Sequence, residues 1–358
     1  MRVAVIGGGI AGCSVAALLA EAGAAVTLYE REAIAAGASG RNSGLLQHPM
    51  DEPLVPLYRS SLELYAELGH GFAFPAEASG TLVVSHDGPT VAADRDAVAA
   101  RFPELAPEWL EGAALTAAEP AIAPDVFAYR LSSGRPIPPA AATRAWAQRA
   151  REAGARIVVG DEAVAASGAG VIVAGERHPA DAVVAAAGPW TPEAIGADGW
   201  RPVAPLWGAV AQVRLSEPPR HTIEQAGVET LTGPGDVPDS LFSIVTAGGA
   251  SSVGSTFMVA EPDAAAVAPL LLERGARYVP ALADAAIEQV RACARPLSTD
   301  GRPLLGPVHG VDGLFLLTGH GPWGLTLGPG SARAVADAVL GEPVDIPAEV
   351  SAARFGAP

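Results

Sequence analysis

The hydrophobic and polar positions of the first thirty residues predict a strand, a turn, a helix and a second strand. Residues 2–6 (RVAVI) form a short apolar run that is typical of a buried parallel strand. Residues 7–12 are rich in glycine and predict a turn, and residues 13–22 have helical spacing. Residues 25–30 (AVTLYE) predict the next strand and complete a β-turn-α-β unit.

Two later parts of the chain show the same alternation. Residues 140–153 have helical spacing, and residues 181–188 form an apolar run that ends in glycine. Residues 313–319 (GLFLLTG) predict another strand, and residues 331–340 (SARAVADAVL) predict a helix after a glycine-rich turn. We expect these separated segments to assemble into one α/β domain.

The stretches between these parts have a different pattern. Residues 73–139 and 201–292 contain short β-like runs, separated by turns rich in proline and glycine. They predict a second, mainly antiparallel sheet domain that is inserted into the first. The first domain would then comprise residues 1–72, 140–200 and 293–358.

The composition excludes several classes of protein. With 358 residues, 49% hydrophobic and 17% charged, the chain is long enough for about two domains and is not disordered. Its net charge of −16 argues against nucleic acid and anionic membranes as partners. All 23 basic residues are arginine, so a lysine Schiff base, a P-loop lysine and a lysine general base are excluded.

Two cysteines, Cys13 and Cys293, lie far apart and have neither a disulfide nor a metal-site spacing. The first residues are apolar, but a glycine cluster and Glu21 interrupt them, so we predict neither a signal peptide nor a membrane helix. We therefore expect a cytoplasmic protein without a metal site.

Residues 7–12 (GGGIAG) fit the pattern G-x-G-x-x-G between a predicted strand and a predicted helix. Gly7 permits a tight turn, Gly9 lets the backbone approach a pyrophosphate, and Gly12 lets helix and strand pack closely. Glu30, 18 residues beyond Gly12, would accept hydrogen bonds from an adenosine ribose. This pattern predicts dinucleotide binding but does not decide between FAD and NAD.

The sequence resembles the D-amino-acid oxidase, glycine oxidase and sarcosine oxidase family of flavoproteins over essentially its whole length, and its motifs are closest to the glycine oxidase-like members. Six ordered blocks carry the resemblance: VIGGGIAG…LYE at 5–30, GASGRNSGLL at 37–46, SGTLVVS at 79–85, GARIVVGDEAV with ADAVVAAAGPWT at 154–191, ARPLSTDGRPLLGP at 294–307 and TGHGPWGLTLGPGSA at 318–332.

The resemblance implies an α/β fold in which a Rossmann-like FAD-binding domain carries the inserted antiparallel substrate domain. It also implies FAD, held without a covalent bond. The cofactor-binding residues would be Gly7, Gly9, Ile10, Ala11, Gly12, Glu30, Arg31, Ala38, Ser39, Arg41, Asn42, Ser43, Gly44, Leu45, Val164, Ala187, Gly188, Trp190, Gly319, His320, Gly321, Trp323, Gly324, Leu325 and Thr326.

Arg295 is the first candidate for the substrate site. In family members that resemble glycine oxidase, the arginine of this R-P block binds the substrate carboxylate. A planar guanidinium can do so through two parallel hydrogen bonds. The other interpretation is a structural salt bridge. Arg302, seven residues on, is expected to pair with Asp300 or to lie at the surface.

Cys293 matches the position of a cysteine that sarcosine oxidase-like members bond covalently to the flavin. A buried cysteine is more often a small hydrophobic residue, and Arg295 is typical of the non-covalent members. We therefore favour packing and keep a covalent link as the alternative.

The substrate side departs from the family pattern at two positions. Phe242 falls where glycine oxidase-like members have a pocket tyrosine, and it cannot donate that hydrogen bond. Ser252 lies near the place of the lysine that promotes reaction with oxygen in sarcosine oxidase-like members. Another cation, His or Arg, could replace that lysine, or the enzyme could use an acceptor other than O₂.

His48 and Trp323 are further candidates for the pocket. His48 either lines the substrate site or caps a turn beside Pro49, and Trp323 either forms a wall of the pocket or packs in the core.

The resemblance implies oxidation of a carboxylate-bearing amine, such as glycine, a D-amino acid or an N-methyl amino acid. Hydride passes to flavin N5, and the imine product hydrolyses. The alternatives are a flavin dehydrogenase of a 2-hydroxy acid or polyol phosphate, a tRNA-modifying FAD oxidase, and a flavin-binding scaffold. The expected partners are a small-molecule substrate and O₂ or another electron acceptor, with a homo-oligomer possible.

Overall fold

The computed structural model describes residues 1–165, 170–197, 199–226 and 240–358. Its strands, in chain order, are β1 (Arg2–Ile6), β2 (Ala25–Glu30), β3 (Leu45–Leu46), β4 (Thr81–Ser85), β5 (Glu108–Leu110), β6 (Phe127–Leu131), β7 (Arg135–Pro136), β8 (Arg156–Val159), β9 (Ala163–Ala165), β10 (Gly170–Val173), β11 (Glu176–Pro179), β12 (Ala182–Ala185), β13 (Val203–Val213), β14 (Thr222–Gln225), β15 (Ser240–Ala247), β16 (Ala250–Thr256), β17 (Ile287–Ser298), β18 (Leu304–Pro307) and β19 (Leu314–Thr318).

The α-helices in the described part of the chain are mostly short. They are α1 (Ile10–Glu21), α2 (Ala38–Arg41), α3 (Val55–Ala66), α4 (Gly88–Arg101), α5 (Gly112–Ala118), α6 (Ala141–Glu152), α7 (Thr191–Ala194), α8 (Ala264–Ala276) and α9 (Gly324–Leu340).

A six-stranded sheet forms the first layer, in the order β18-β19-β12-β1-β2-β8. All its pairings are parallel except the one between β18 and β19. The central strand β1 is apolar because helices cover one face of this sheet and other apolar segments cover the other. Val3 and Val5 pack with α1, α6 and α9, whereas Ala4 and Ile6 face a second apolar cluster.

Helix α1 begins at Ile10, three residues earlier than the spacing predicts. Gly9 has extended backbone angles and ends the turn, so the chain becomes helical immediately after the glycine pattern. This earlier start matters for the site, because it brings the amino end of α1 against the carboxyl edge of the parallel sheet.

An eight-stranded sheet forms the second layer, in the order β17-β13-β16-β15-β14-β4-β6-β5. Its pairings are antiparallel except for the one between β14 and β4. Both inserted stretches of the sequence supply strands to it. The predicted fold class, a Rossmann-like domain with an inserted antiparallel sheet, is confirmed.

Strand β17 contains Cys293 and Arg295, the two candidate residues at the R-P block. It pairs with β13 from Ile287 to Ser298 without a break at residue 293, where we expected the first domain to resume. Cys293 and Arg295 therefore lie in the antiparallel sheet, facing the parallel one. The domain boundaries as a whole stay a prediction.

Candidate active site

A cavity of about 1300 Å³ lies between the two sheets. It exceeds the roughly 300–1000 Å³ that a drug-sized ligand fills. One end is lined by the glycine turn after β1 and by β2, and the other end by β15, β16 and β17. The cavity is therefore long enough to hold a dinucleotide and a small substrate side by side.

The glycine turn is built so that the backbone itself lines the cavity. Gly7 has a φ of +112°, and a Cβ on it would overlap the carbonyl oxygen of Ala186. A Cβ on Gly12 would overlap the carbonyl oxygen of Gly7, so helix α1 can approach β1 only because this residue is glycine. The amino end of α1, at Ile10 and Ala11, therefore lines the cavity and presents the positive end of the helix dipole to it.

Glu30 holds this turn from the end of β2. Its carboxylate accepts hydrogen bonds from the amides of Gly8 at 2.7 Å and Glu32 at 2.8 Å. Beside it, the Arg31 guanidinium lies 4.3 Å from the centroid of the Trp190 ring. These side chains form the end of the cavity where Val164 also lies.

The loop at residues 37–46 lines the cavity, and hydrogen bonds within the loop and to α1 hold its conformation. Ser39 Oγ accepts a bond from Ile10 N at 2.9 Å, which ties the loop to the start of α1. The Asn42 amide donates to the carbonyls of Ala38 and Ser39, and its oxygen accepts from Gly44 N. The Asn42 side chain thus shapes the loop.

The block before α9 supplies the opposite wall. Gly319 and Gly321 have positive φ angles of 79° and 53°, which turn the chain sharply between β19 and the helix. The ring of His320 is buried and lies 3.1 Å from Ser331 Oγ. Burial lowers the pKa of His320 to about 4, so the ring is neutral at pH 7.

The Arg295 guanidinium lies over Gly208 of β13, where any Cβ would collide with it. It donates to the carbonyl oxygen of Thr256 at 2.9 Å and to Ser255 Oγ, and lies 4.8 Å from the centroid of Phe257. Burial lowers its pKa. Among the described residues, no carboxylate comes within 4.0 Å of it, so the structural salt bridge is not present in that part of the chain.

Cys293 lines the cavity two residues before Arg295 and is 3% exposed. Burial raises the pKa of its thiol, although the guanidinium groups of Arg295, Arg41 and Arg291 act in the opposite direction. The balance keeps the sulfur protonated at pH 7, and the thiolate is the reactive form of cysteine.

Most of the predicted cofactor residues line this cavity. Gly12 and Gly319 do not: the first packs against Gly7, and the second against Leu304 of β18. The lining residues among those predicted are Gly7, Gly9, Ile10, Ala11, Glu30, Arg31, Ala38, Ser39, Arg41, Asn42, Ser43, Gly44, Leu45, Val164, Ala187, Gly188, Trp190, His320, Gly321, Trp323, Gly324, Leu325 and Thr326.

A family model described as FAD dependent oxidoreductase (DAO) matches residues 2–338. The chain belongs to this family. Glycine oxidase from Geobacillus kaustophilus superposes on it with a TM-score of 0.86 and 26% sequence identity, over 99% of both chains.

Two curated relatives match shorter parts of this flavoprotein. It is 33% identical over 193 residues to a D-amino acid dehydrogenase of Sinorhizobium medicae, covering 52% of this chain and 44% of that one. It is 47% identical over 74 residues to a glycine oxidase of Pseudomonas aeruginosa, covering 20% of each. The chain thus covers less than half the length of these two relatives.

The residues present fit FAD, the cofactor of the family. A Cβ on Gly7 or Gly12 would overlap backbone carbonyl oxygens, so only glycine lets this turn and the amino end of α1 come together at the cavity, where a helix amino end suits phosphate groups. Glu30 and the amino end of α9 also line the cavity. Among the described residues, no helix is both long and apolar enough to cross a membrane.

Phe242 is not part of the cavity, contrary to our expectation. On β15 the side chains of Leu241, Ser243 and Val245 face the cavity, and the alternation of the strand turns Phe242 to the other side. There it is fully buried and stacks on Tyr278, with ring centroids 5.0 Å apart. Phe242 is therefore a core residue.

His48 also faces away from the main cavity, while its neighbours Gln47 and Pro49 line it. Its ring packs between Tyr58 and Phe102, and Nδ1 accepts a hydrogen bond from Met50 N at 3.3 Å. Burial lowers its pKa. The turn-capping interpretation of His48 agrees with this placement.

Arg302 has a different partner from the one expected. Its guanidinium binds Asp51 at 2.7 and 3.0 Å, and both residues line the cavity. Asp300 instead pairs with Arg354. Because Asp51 lies 251 positions earlier in the chain, no local pattern predicts this ion pair.

Ser252, at the expected lysine position, accepts a hydrogen bond from the guanidinium of Arg291 at 2.8 Å. The same guanidinium reaches the carbonyl oxygen of Asn42 at 3.4 Å. Arg291 of β17 therefore lies beside this serine and contacts the loop at residues 37–46.

Glu224, a carboxylate in the cavity wall, was not among the predicted site residues. It lies on β14 and is 8% exposed. Gln47 donates to its Oε2 at 3.1 Å, and burial raises its pKa to about 7. The strand that carries it, Thr222–Gln225, was not predicted as a separate element, so the sequence offered no signal that this carboxylate would be buried.

Proposed function

We propose that this chain oxidises a carboxylate-bearing amine, namely glycine, a D-amino acid or an N-methyl amino acid. FAD, when bound, would supply the acceptor for the hydride that leaves the substrate α-carbon. Water then hydrolyses the resulting imine to a 2-oxo acid and releases ammonia, or methylamine from an N-methyl amino acid. The names of the relatives and the family membership support this class of reaction.

The single observation that carries the proposal is the Arg295 guanidinium in the cavity wall, which has no carboxylate partner among the described residues. Its bonds to Thr256 and Ser255 and its contact with Phe257 hold it in one place. A half-buried cation with no such partner in the described part of the chain is a site for a ligand anion. We assign it to the substrate carboxylate, which it would hold in a fixed orientation.

We further propose that FAD is held without a covalent bond to Cys293. The protonated, buried thiol is a poor nucleophile. Acid precipitation of the yellow protein should then release all the flavin into the supernatant, whereas flavin that remains in the pellet would show a covalent link.

Anaerobic flavin reduction tests the reaction. Glycine, sarcosine, D- and L-amino acids and 2-hydroxy acids are mixed with the holoenzyme, and the visible flavin absorbance is followed. We expect bleaching by an amino acid. Bleaching by 2-hydroxy acids alone would overturn the amine assignment, and admitting air to the reduced enzyme would show whether O₂ is the acceptor.

Arg295→Met tests the role of the guanidinium. We expect kcat/KM for the amino acid to fall roughly 30-fold or more, which corresponds to a loss of about 2–5 kcal/mol in transition-state binding. The FAD content should not change. Arg214→Met is the matched control, because Arg214 is an exposed residue directly after β13 that pairs with Glu288. An unchanged kcat/KM in Arg295→Met would contradict the assignment.

A further inference from the structure

Glu224 has no role in the proposed reaction, although it lines the same cavity. Its neighbour across the sheet is Ser243 of β15, which also faces the cavity. On the other side lies Val83 of β4, an apolar residue. The carboxylate is thus presented toward the cavity by three adjacent strands.

No cation of the protein compensates this carboxylate. Gln47 Nε2 is a neutral donor, and among the described residues no Arg or His nitrogen comes within 4.0 Å of Glu224. All the arginines and histidines of the chain belong to the described residues, since the stretches left out contain neither. A buried carboxylate that faces a ligand cavity under these conditions is a site for a ligand cation or hydrogen-bond donor.

The sheet register relates Glu224 to Arg295. Ser243 pairs with both Glu224 on β14 and Gly254 on β16. The Arg295 guanidinium lies over the end of β16, through its bonds to Ser255 and Thr256. The guanidinium also lies over Gly208 of β13, the strand beyond β16, so two to three strand spacings, about 10–14 Å, separate the cationic and the acidic group across one wall of the cavity.

We propose that Glu224 is a specificity-determining residue that binds a cationic nitrogen of the substrate while Arg295 binds its carboxylate. This inference rests on the proposed function, because it takes the substrate to be an amino acid. The wall then selects zwitterions and discriminates against carboxylates that carry a hydroxyl group or no second polar group. The nitrogen is either the α-amino group or a basic group of the side chain.

Propionate and β-alanine test the proposal without turnover, because they share the carboxylate and differ by one ammonium group. Their Kd values are measured from the shift of the visible flavin absorbance of the oxidised holoenzyme. The assay is run at about pH 8.5, where a carboxyl group with a pKa of about 7 is ionised. Glu224→Gln removes the charge at constant shape, and Glu224→Leu is a second variant.

We expect Glu224→Gln to weaken β-alanine binding by about 10-fold and to leave propionate binding within about 2-fold. Arg295→Met should weaken both ligands. Glu108→Gln is the control, since Glu108 is exposed at the far edge of the same sheet and pairs with Arg130. Equal effects of Glu224→Gln on the two ligands, or no effect on either, would overturn the proposal.

Turnover identifies which nitrogen is bound. D-Norleucine and D-lysine differ by the side-chain ammonium group, so a rise in KM for both in Glu224→Gln indicates the α-amino group, and a rise for D-lysine alone indicates the side chain. If no amino acid reduces the flavin but β-alanine and propionate still differ as expected, the proposed reaction fails and the ligand chemistry of Glu224 stands.

Discussion

The two ends of the cavity differ in the groups that line them: backbone groups at one end and side chains at the other. The end around residues 7–12 is made of backbone, because glycines bring amides and carbonyls to the surface and α1 supplies its amino end. The end around Arg295 and Glu224 is made of half-buried and buried side chains that different strands bring together. The difference teaches that the glycine turn depends on a local stretch of chain, whereas the proposed substrate site depends on the register of a whole sheet.

Of the variants that test this comparison, Gly12→Val should change stability and FAD binding the most. The Cβ would overlap the carbonyl oxygen of Gly7, so the helix must move away from β1. We expect a loss of about 3 kcal/mol or more in the free energy of unfolding and loss of bound FAD. Urea unfolding and flavin content check this.

Gly199→Ala is the control for that variant, because nothing lies within 4 Å of the added Cβ. Retention of normal flavin content by Gly12→Val would show that the close approach of helix and strand is not needed at this end of the cavity.

The buried ring of His320 should make the cofactor end sensitive to acid. Its folded pKa is lowered to about 4 from about 6.5, so the unfolded chain binds the extra proton and stability falls as the pH drops through this interval. We expect about 2 kcal/mol to be lost from this group between pH 7 and pH 5. Unfolding at a series of pH values, with FAD in excess, measures the slope.

His320→Gln removes the titrating group and should flatten this part of the pH profile. His309→Gln, which changes an exposed ring, should leave the profile as it is. An unchanged slope in His320→Gln would mean that other groups cause the acid sensitivity.

Phe242→Leu should give the smallest effect and concerns the substrate end. The ring is part of the core behind the cavity wall, where it stacks on Tyr278. We expect the variant to lose about 1 kcal/mol of stability, with KM for the substrate unchanged. Thermal unfolding and steady-state kinetics check both parts. A rise in KM at unchanged stability would show that Phe242 contributes to substrate binding after all.

Much of the cofactor end could be predicted because each of its blocks is short and its signal is conformational. Gly7, Gly319 and Gly321 have positive φ angles, and a Cβ on Gly12 would overlap backbone, so these positions favour glycine directly. The loop at 37–46 was recognised by resemblance, and its internal bonds through Asn42 were not predicted. Hydrogen bonds within a loop depend on its final path.

The substrate end could be predicted only in part. Arg295 stands in a recognisable block, but Phe242 was misplaced, because a shift of one residue along a strand moves a side chain to the opposite face. The partner of Arg302 and the position of Glu224 depend on which strands become neighbours. Those pairings join residues more than a hundred positions apart.

The sequence by itself determined the first β-turn-α-β unit and dinucleotide binding, because these follow from a short pattern with one stable local structure, and six blocks along the whole chain carried the resemblance to the family. The tertiary structure alone decided which charged groups share the cavity wall. It placed Arg295 over Gly208, turned Glu224 toward Gln47, and directed Phe242 and His48 away from the main cavity. The physical reason is that burial and charge compensation belong to the packed sheet and not to any single strand.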